Sequence, residues 1–322
     1  MKQWICIFFI FILVIANTFS QETEEKETSQ LEQRQEKIMF GLETEIIELI
    51  DKVIEEEDYE YSDNLYALFN KTRSSSLREK IIQYFEKTKD DRLKDFAAEH
   101  LEDPFEENKE IQPGVKQAVI DALGDLGTTD SWDSLCEIVN DKGEDTYMRM
   151  HAVESLGKID SDQAAGILVS LYDDKDANFR VSVIKGLAVS TAPEAQAVLI
   201  EALQDSYFRV RLEALEAIKN QKLASALKSL LYRAKNDSEN VVKFKAYETL
   251  AALGEKDGLD YLISLVKSDK QTEATRGKAA TALLKYAFSE TVYPVINAAE
   301  STLNDEKQKK VRYALGKEFA KY

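Results

Sequence analysis

Apolar side chains return every three or four positions along most of this chain, from about Leu42 to Tyr322. That interval winds them onto one face of a helix. Alternating runs of Val, Ile and Thr between turn residues are missing, and 4 prolines and 12 glycines in 322 residues leave few breaks, so sheets are not expected. Aligned on a basic residue, the helical stretches give anchors at Arg78, Lys116, Arg149, Arg180, Arg211, Lys243, Arg276 and Arg312, spaced by 38, 33, 31, 31, 32, 33 and 36 residues. Three positions after the anchors stand Ile81, Val119, Ala152, Val183, Ala214, Ala246, Ala279 and Leu315. Seven positions after them stand Phe85, Leu123, Leu156, Leu187, Ile218, Leu250, Leu283 and Phe319. Every member is apolar, so a single buried stripe recurs eight times.

A further helix precedes each of these, marked by Leu65, Leu135, Leu168, Leu199, Leu227, Leu262 and Val295. Two short antiparallel helices cannot bury their apolar faces alone, so neighbouring pairs must stack. The stretch "FGLETEIIELIDKVI" carries Ile46, Ile47 and Ile50 at the same offsets from Glu43, 35 residues before Arg78, and is expected to cap the N-terminal end.

The segments "MRMHAVESLGKID", "VKQAVIDALGDLG" and "VVKFKAYETLAALG" share the basic residue, the small or apolar residue three on, and a Leu before a small residue. This pattern resembles the HEAT repeat, and specifically the short HEAT-like repeats of phycobilisome lyases. The Trp-Leu-Gly-Tyr signature of tetratricopeptide repeats, whose period is similar, is missing. The resemblance covers about Leu42 to Tyr322. It implies an all-α fold, an α-solenoid of stacked antiparallel helix pairs in a HEAT/armadillo-like superhelix, with the second helices lining a concave binding face. It also implies a ladder of acidic and basic residues along the stack, in which Asp174, Asp205 and Asp237, each six residues before Arg180, Arg211 and Lys243, take part. Three departures stand out. An acidic insertion at 102–113, within "LEDPFEENKEIQPG", stretches one spacing to 38; Arg209 competes with Arg211 as anchor, but only Arg211 keeps Ala214, Leu215 and Ile218 on the stripe; and Pro294 falls inside an expected helix.

The N-terminus follows a different rule. Lys2 precedes twelve apolar residues from Trp4 to Ile15, and Thr18 and Ser20 supply small side chains before Gln21. That is a signal peptide over 1–20, shorter than the roughly 20 apolar residues of a spanning helix. An uncleaved anchor is the alternative. Residues 21–41 read as a polar, flexible leader and 42–322 as the solenoid of about eight helix pairs. The expected location is therefore exported, either periplasmic or secreted. Cleavage removes Cys6 and leaves Cys136, in a helical apolar pattern, as a packed thiol with no disulfide partner.

Charge narrows the partners. The chain carries 42 basic and 59 acidic side chains for a net −17, and loss of Lys2 gives 41 against 59, or −18. Nucleic acid and anionic membrane surfaces are disfavoured, because both are held by Lys and Arg. Basic partners, cations or simple solubility are left open by the charge, and the partner expected is a protein or peptide, basic and apolar where it meets the column described below.

Candidate chemistry is thin. His151 and Glu154, in "YMRMHAVESLG", have the three-residue spacing of metal ligands on one helical turn. They occupy positions +2 and +5 from the anchor, where other units carry Lys80, Ala118, Ser182, Glu213, Lys245, Lys278 and Ala314, and Gln83, Asp121, Lys185, Glu216, Glu248, Thr281 and Lys317. Such mixed columns read as solvent-facing, and a metal site needs three or four ligands. The other histidine is His100, and the His-Glu dipeptides of iron-binding HEAT-repeat hydroxylases do not occur. Neither "EEED" at 55–58 nor "DDKDAN" at 173–178 has the alternating ligands and terminal Glu of a calcium loop. Phosphate loops, nucleophile elbows and paired Cys-x-x-Cys motifs are missing too. No catalytic residue, metal or cofactor is expected, and the chain reads as a non-enzymatic scaffold. The alternative is an enzyme-associated, chromophore-lyase-like protein or accessory subunit.

One column breaks the polar rule. Position +1 carries Met150, Val181, Leu212 and Phe244 in four consecutive units. If each unit advances about one helix diameter, roughly 10 Å, these form an apolar stripe some 30 Å long, beside which Glu216 and Glu248 make an acidic rim. The competing expectation is that the four side chains fold sideways onto the neighbouring second helix as ordinary packing.

Overall fold

A computed structural model describes residues 30–93 and 113–286, apart from 128 and 269. The signal segment, the acidic insertion as far as residue 112, His100, Pro294 and the unit anchored by Arg312 lie outside the described residues. Among the described residues the chain is helical with no strand. None of the helices described is long and apolar enough to cross a membrane.

The chain divides into two compact units, residues 1–134 and 135–322. In the first, residues 30–40 form α1, followed by α2 (Glu43–Glu55), α3 (Ser62–Lys71), α4 (Ser75–Thr88) and α5 (Pro113–Leu126). Helix α4 packs against α2, α3 and α5. Helix α6 (Trp132–Asn140) crosses the division. The second unit then runs through α7 (Thr146–Ile159), α8 (Ser161–Leu171), α9 (Ala177–Leu187), α10 (Pro193–Glu201), α11 (Phe208–Gln221), α12 (Leu227–Asn236), α13 (Asn240–Ala252), α14 (Lys256–Lys267) and α15 (Glu273–Tyr286). Here α7, α9, α11, α13 and α15 are the second helices of successive pairs, and each packs on the next, which is the α-solenoid arrangement.

The two apolar columns make the core. Among the described residues no member of either is more than 3% exposed, from Ile81 and Phe85 to Ala279 and Leu283. Close packing explains the small residues beside them. A Cβ on Gly157 of α7 would collide with the Gly186 backbone of α9, so these two helices meet where neither has a side chain. Aspartates start the helices: Asp145, Asp160 and Asp176 each accept hydrogen bonds from two backbone N–H groups in the first turn that follows.

Three expectations need correction. Leu227 is only half-buried, whereas Leu230 is fully buried. A 3-10 turn over Ala224–Ala226 leads into α12 and places Leu227 at its first position, so the buried stripe runs Leu223, Ala226, Leu230, Ala234. In α2 the stripe is Ile46, Leu49, Ile50 and Val53, with Ile47 half-buried at its edge. The leader over 21–41 contains α1, which buries Ile38 and Arg34. The Arg34 guanidinium donates to Asp58 at 2.6 Å and to Glu56 at 2.6 Å, so a side chain counted as polar behaves as part of the buried face.

Candidate binding face

The turns that join the helix pairs carry a ladder. Arg180 on α9 donates through Nε and Nη2 to both carboxylate oxygens of Asp205, each at 2.8 Å, and through Nη1 to the Asp174 carbonyl at 2.9 Å. Arg211 on α11 repeats this one unit on, with Asp237 at 2.8 Å twice and the Asp205 carbonyl at 2.8 Å. Each arginine thus holds its own turn by the carbonyl and the next unit's turn by the carboxylate. Arg211, not the exposed Arg209, is the anchor. Burial works against ionised Asp205, yet Arg180, the Tyr207 N–H and the Tyr172 hydroxyl hold its carboxyl below the usual range. Asp237 is held low in the same way by Arg211, the Glu239 N–H and Arg233. Burial and the Asp205 carboxylate push the Tyr172 phenol up. Arg149 and Arg276 make a different bond, each donating Nε at 3.0 Å to a carbonyl ten residues earlier, on Val139 and Val266. A polar cavity of about 570 Å³ opens at the Arg180–Asp205 rung, with Tyr172, Asp173 and Glu201 in its wall.

The second ladder crosses the faces of the second helices, in the columns expected to be solvated. Glu154 on α7 accepts from Ser182 at 2.8 Å and Lys185 at 3.1 Å on α9. Glu216 on α11 accepts from Lys219 at 2.7 Å and pairs with Lys245 on α13 at 2.6 Å, and Lys245 also reaches Glu248 at 3.1 Å. Burial opposes ionised Glu216, but Lys219 and Lys245 bring its carboxyl down to about 2. Burial of the half-buried Lys245 opposes its charge, but Glu216 and Glu248 push it up. Glu216 and Glu248, the expected acidic rim, are thus both paired with lysines, Lys219 and Lys245. His151 is half-buried with its ring edge against Tyr147, centroids 4.5 Å apart. Among the described residues no group of three or more His, Cys, Asp or Glu is placed to hold a metal ion. Cys136 is half-buried.

Met150, Val181, Leu212 and Phe244 are all half-buried, neither fully core nor free. They occupy equivalent places on α7, α9, α11 and α13. Phe244 packs on the core of the last described pair and also faces a cavity of about 430 Å³, shared with Val241, Tyr261 and Leu265 and with polar Gln271, Thr275 and Lys278. Glu213, next to Leu212, is the feature that column reading missed. It is half-buried, makes no hydrogen bond or ion pair among the described residues, and burial raises its carboxyl above the usual range.

A family model described as Spirochaete HEAT repeat protein matches residues 107–322, two thirds of the chain. The chain belongs to that HEAT repeat family. No curated protein matches this chain. Among solved structures, YibA of Escherichia coli is 18% identical over 83% of this chain and 95% of its own, with a TM-score of 0.53, a likeness of fold alone. The complex of CpcE and CpcF of phycocyanin lyase from Nostoc is 20% identical over 72% and 91% of the respective chains, with a TM-score of 0.43. Human deoxyhypusine hydroxylase is 16% identical over 86% and 96%, with a TM-score of 0.28.

Proposed function

We propose that this HEAT repeat protein is an exported, non-enzymatic scaffold that binds a protein or peptide along the face of its second helices. The observation that carries the reading is the half-buried apolar column of Met150, Val181, Leu212 and Phe244. A solvated helix face normally carries polar residues there, and a run of apolar side chains left partly open marks a surface that gains by being covered. The firm stripe beneath it, from Ala152 to Leu250, keeps the four positions in register without help from a partner. Export rests on the charge and apolar run of residues 1–20, which give a mature chain starting at Gln21.

The test is Leu212→Ser combined with Phe244→Ser in the mature protein. Unchanged melting with loss of partners cross-linked in the native cell supports the binding face. A large fall in melting temperature shows that both residues are core and refutes it.

A further inference from the structure

We infer that Glu213 is the point at which this face selects a basic side chain, Lys or Arg, of the bound peptide, an inference that rests on the binding face proposed above. Four charged groups act on Glu213: Lys185 and Glu154 from α9 and α7, Glu216 from its own helix, and Lys245 from α13. Both lysines are engaged elsewhere, Lys185 by Glu154 at 3.1 Å and Lys245 by Glu216 at 2.6 Å and Glu248 at 3.1 Å. Glu216 has Lys219 as well, at 2.7 Å. Along the ladder every carboxylate but one has an ammonium within bonding distance.

That remaining carboxylate is also partly desolvated. It is half-buried beside Leu212, and the columns of α9 and α13 bring Val181 and Phe244 to equivalent positions on either side. A carboxylate that is partly desolvated and has no counter-ion bonded to it is costly to ionise, and a charged donor that reaches it recovers the loss. Lys and Arg suit the place for a second reason. Their methylene stems lie along apolar surface while the charged head reaches a polar partner, which is the combination of the +1 and +2 columns here. An acidic or phosphorylated peptide would meet Glu213 with like charge. The excess of 59 acidic over 42 basic side chains favours the same basic partner at longer range.

Short random peptides displayed on phage and selected on the mature protein test the assignment. Selected sequences are expected to share a Lys or Arg among apolar residues. A synthetic peptide from that set should bind Glu213→Gln about tenfold or more weakly. Changing its basic residue to Met should cost the same factor on the wild type and nothing further on Glu213→Gln. Glu213→Gln keeps the shape of the side chain, and an unaltered or higher melting temperature shows that folding is preserved. Apolar peptides with no shared basic position, or equal affinity for Glu213→Gln, overturn the role of Glu213 while binding lost in the Leu212→Ser, Phe244→Ser variant leaves the face itself standing. Peptides that still bind that double variant, or the selection of none, overturn both.

Discussion

Replacing Asp237 by alanine removes the carboxylate that Arg211 grips and leaves the guanidinium in place, 5% exposed, with no counter-ion of its own. Two charge-assisted bonds of 2.8 Å are lost, together with the turn bond in which the Glu239 N–H donates to Asp237 at 2.9 Å. The Asp205 and Ser206 carbonyls still accept from Nη1, at 2.8 and 3.1 Å, so Arg211 is not wholly abandoned. Breaking a buried pair from one side costs about 3–5 kcal/mol, chiefly because the surviving charge stays buried. We expect a loss in that range at neutral pH, read as a fall in the urea midpoint with the slope unchanged. The depressed Asp237 pKa adds a pH signature. A carboxyl held low in the native state contributes stability that is whole above its unfolded value, about 3.9, and is lost as pH falls through the native one. The gap between wild type and Asp237→Ala should therefore close in acid. Arg211→Met with Asp237→Leu, which leaves only the more exposed Arg233 without its 3.4 Å partner, should recover much of the loss. A cost for Asp237→Ala below about 1 kcal/mol, typical of a surface pair, would refute the buried-rung reasoning.

Leu156→Ala, at a fully buried stripe position, should cost about 2–5 kcal/mol by chemical denaturation, whereas His151→Ala, at a half-buried position with a ring-edge contact to Tyr147, should cost about 1 kcal/mol or less. Gly157→Ala should destabilise by about 1–3 kcal/mol, since its methyl group has no room against Gly186, and a neutral result in a melting scan would mean that α7 and α9 slide apart freely. Glu213→Gln should raise the melting temperature above about pH 5: burial lifts its native pKa, so the ionised form destabilises the fold increasingly as pH rises past the unfolded value. N-terminal sequencing of the protein from its native cell should begin at Gln21, and recovery of Met1 from a membrane fraction would make the anchor reading right.

The buried stripes were legible because helical periodicity depends only on residue type and spacing, and both columns obey it from Ile81 to Leu283. What was hidden depended on local geometry or on distance. The 3-10 turn at Ala224–Ala226 moves the buried position from Leu227 to Leu230, and nothing in "KLASALKS" announces it. Helix α1 escaped notice because one of its buried side chains is Arg34, whose fate is decided by Glu56 and Asp58 more than twenty residues away. The electrostatics of the candidate face failed for the same reason. Glu213, Glu216 and Glu248 are indistinguishable as letters; only the placement of Lys219 and Lys245 shows that two are neutralised and one is not.

The turn ladder also bears on inheritance. Arg180 meets an aspartate 25 residues downstream and Arg211 one 26 residues downstream, so each rung is measured from its own arginine and ignores the rest of the chain. A recombination that joins Arg180 directly to Leu212 deletes 31 residues and sets Asp237 26 positions from Arg180, the separation that Arg211 already uses. The shortened protein keeps a whole rung at the join. The reverse event lengthens it by one unit on the same terms. A gene encoding such a chain can therefore gain or lose length in whole steps without a frustrated intermediate, while an insertion of a few residues between an arginine and its aspartate would change the separation on which the rung depends.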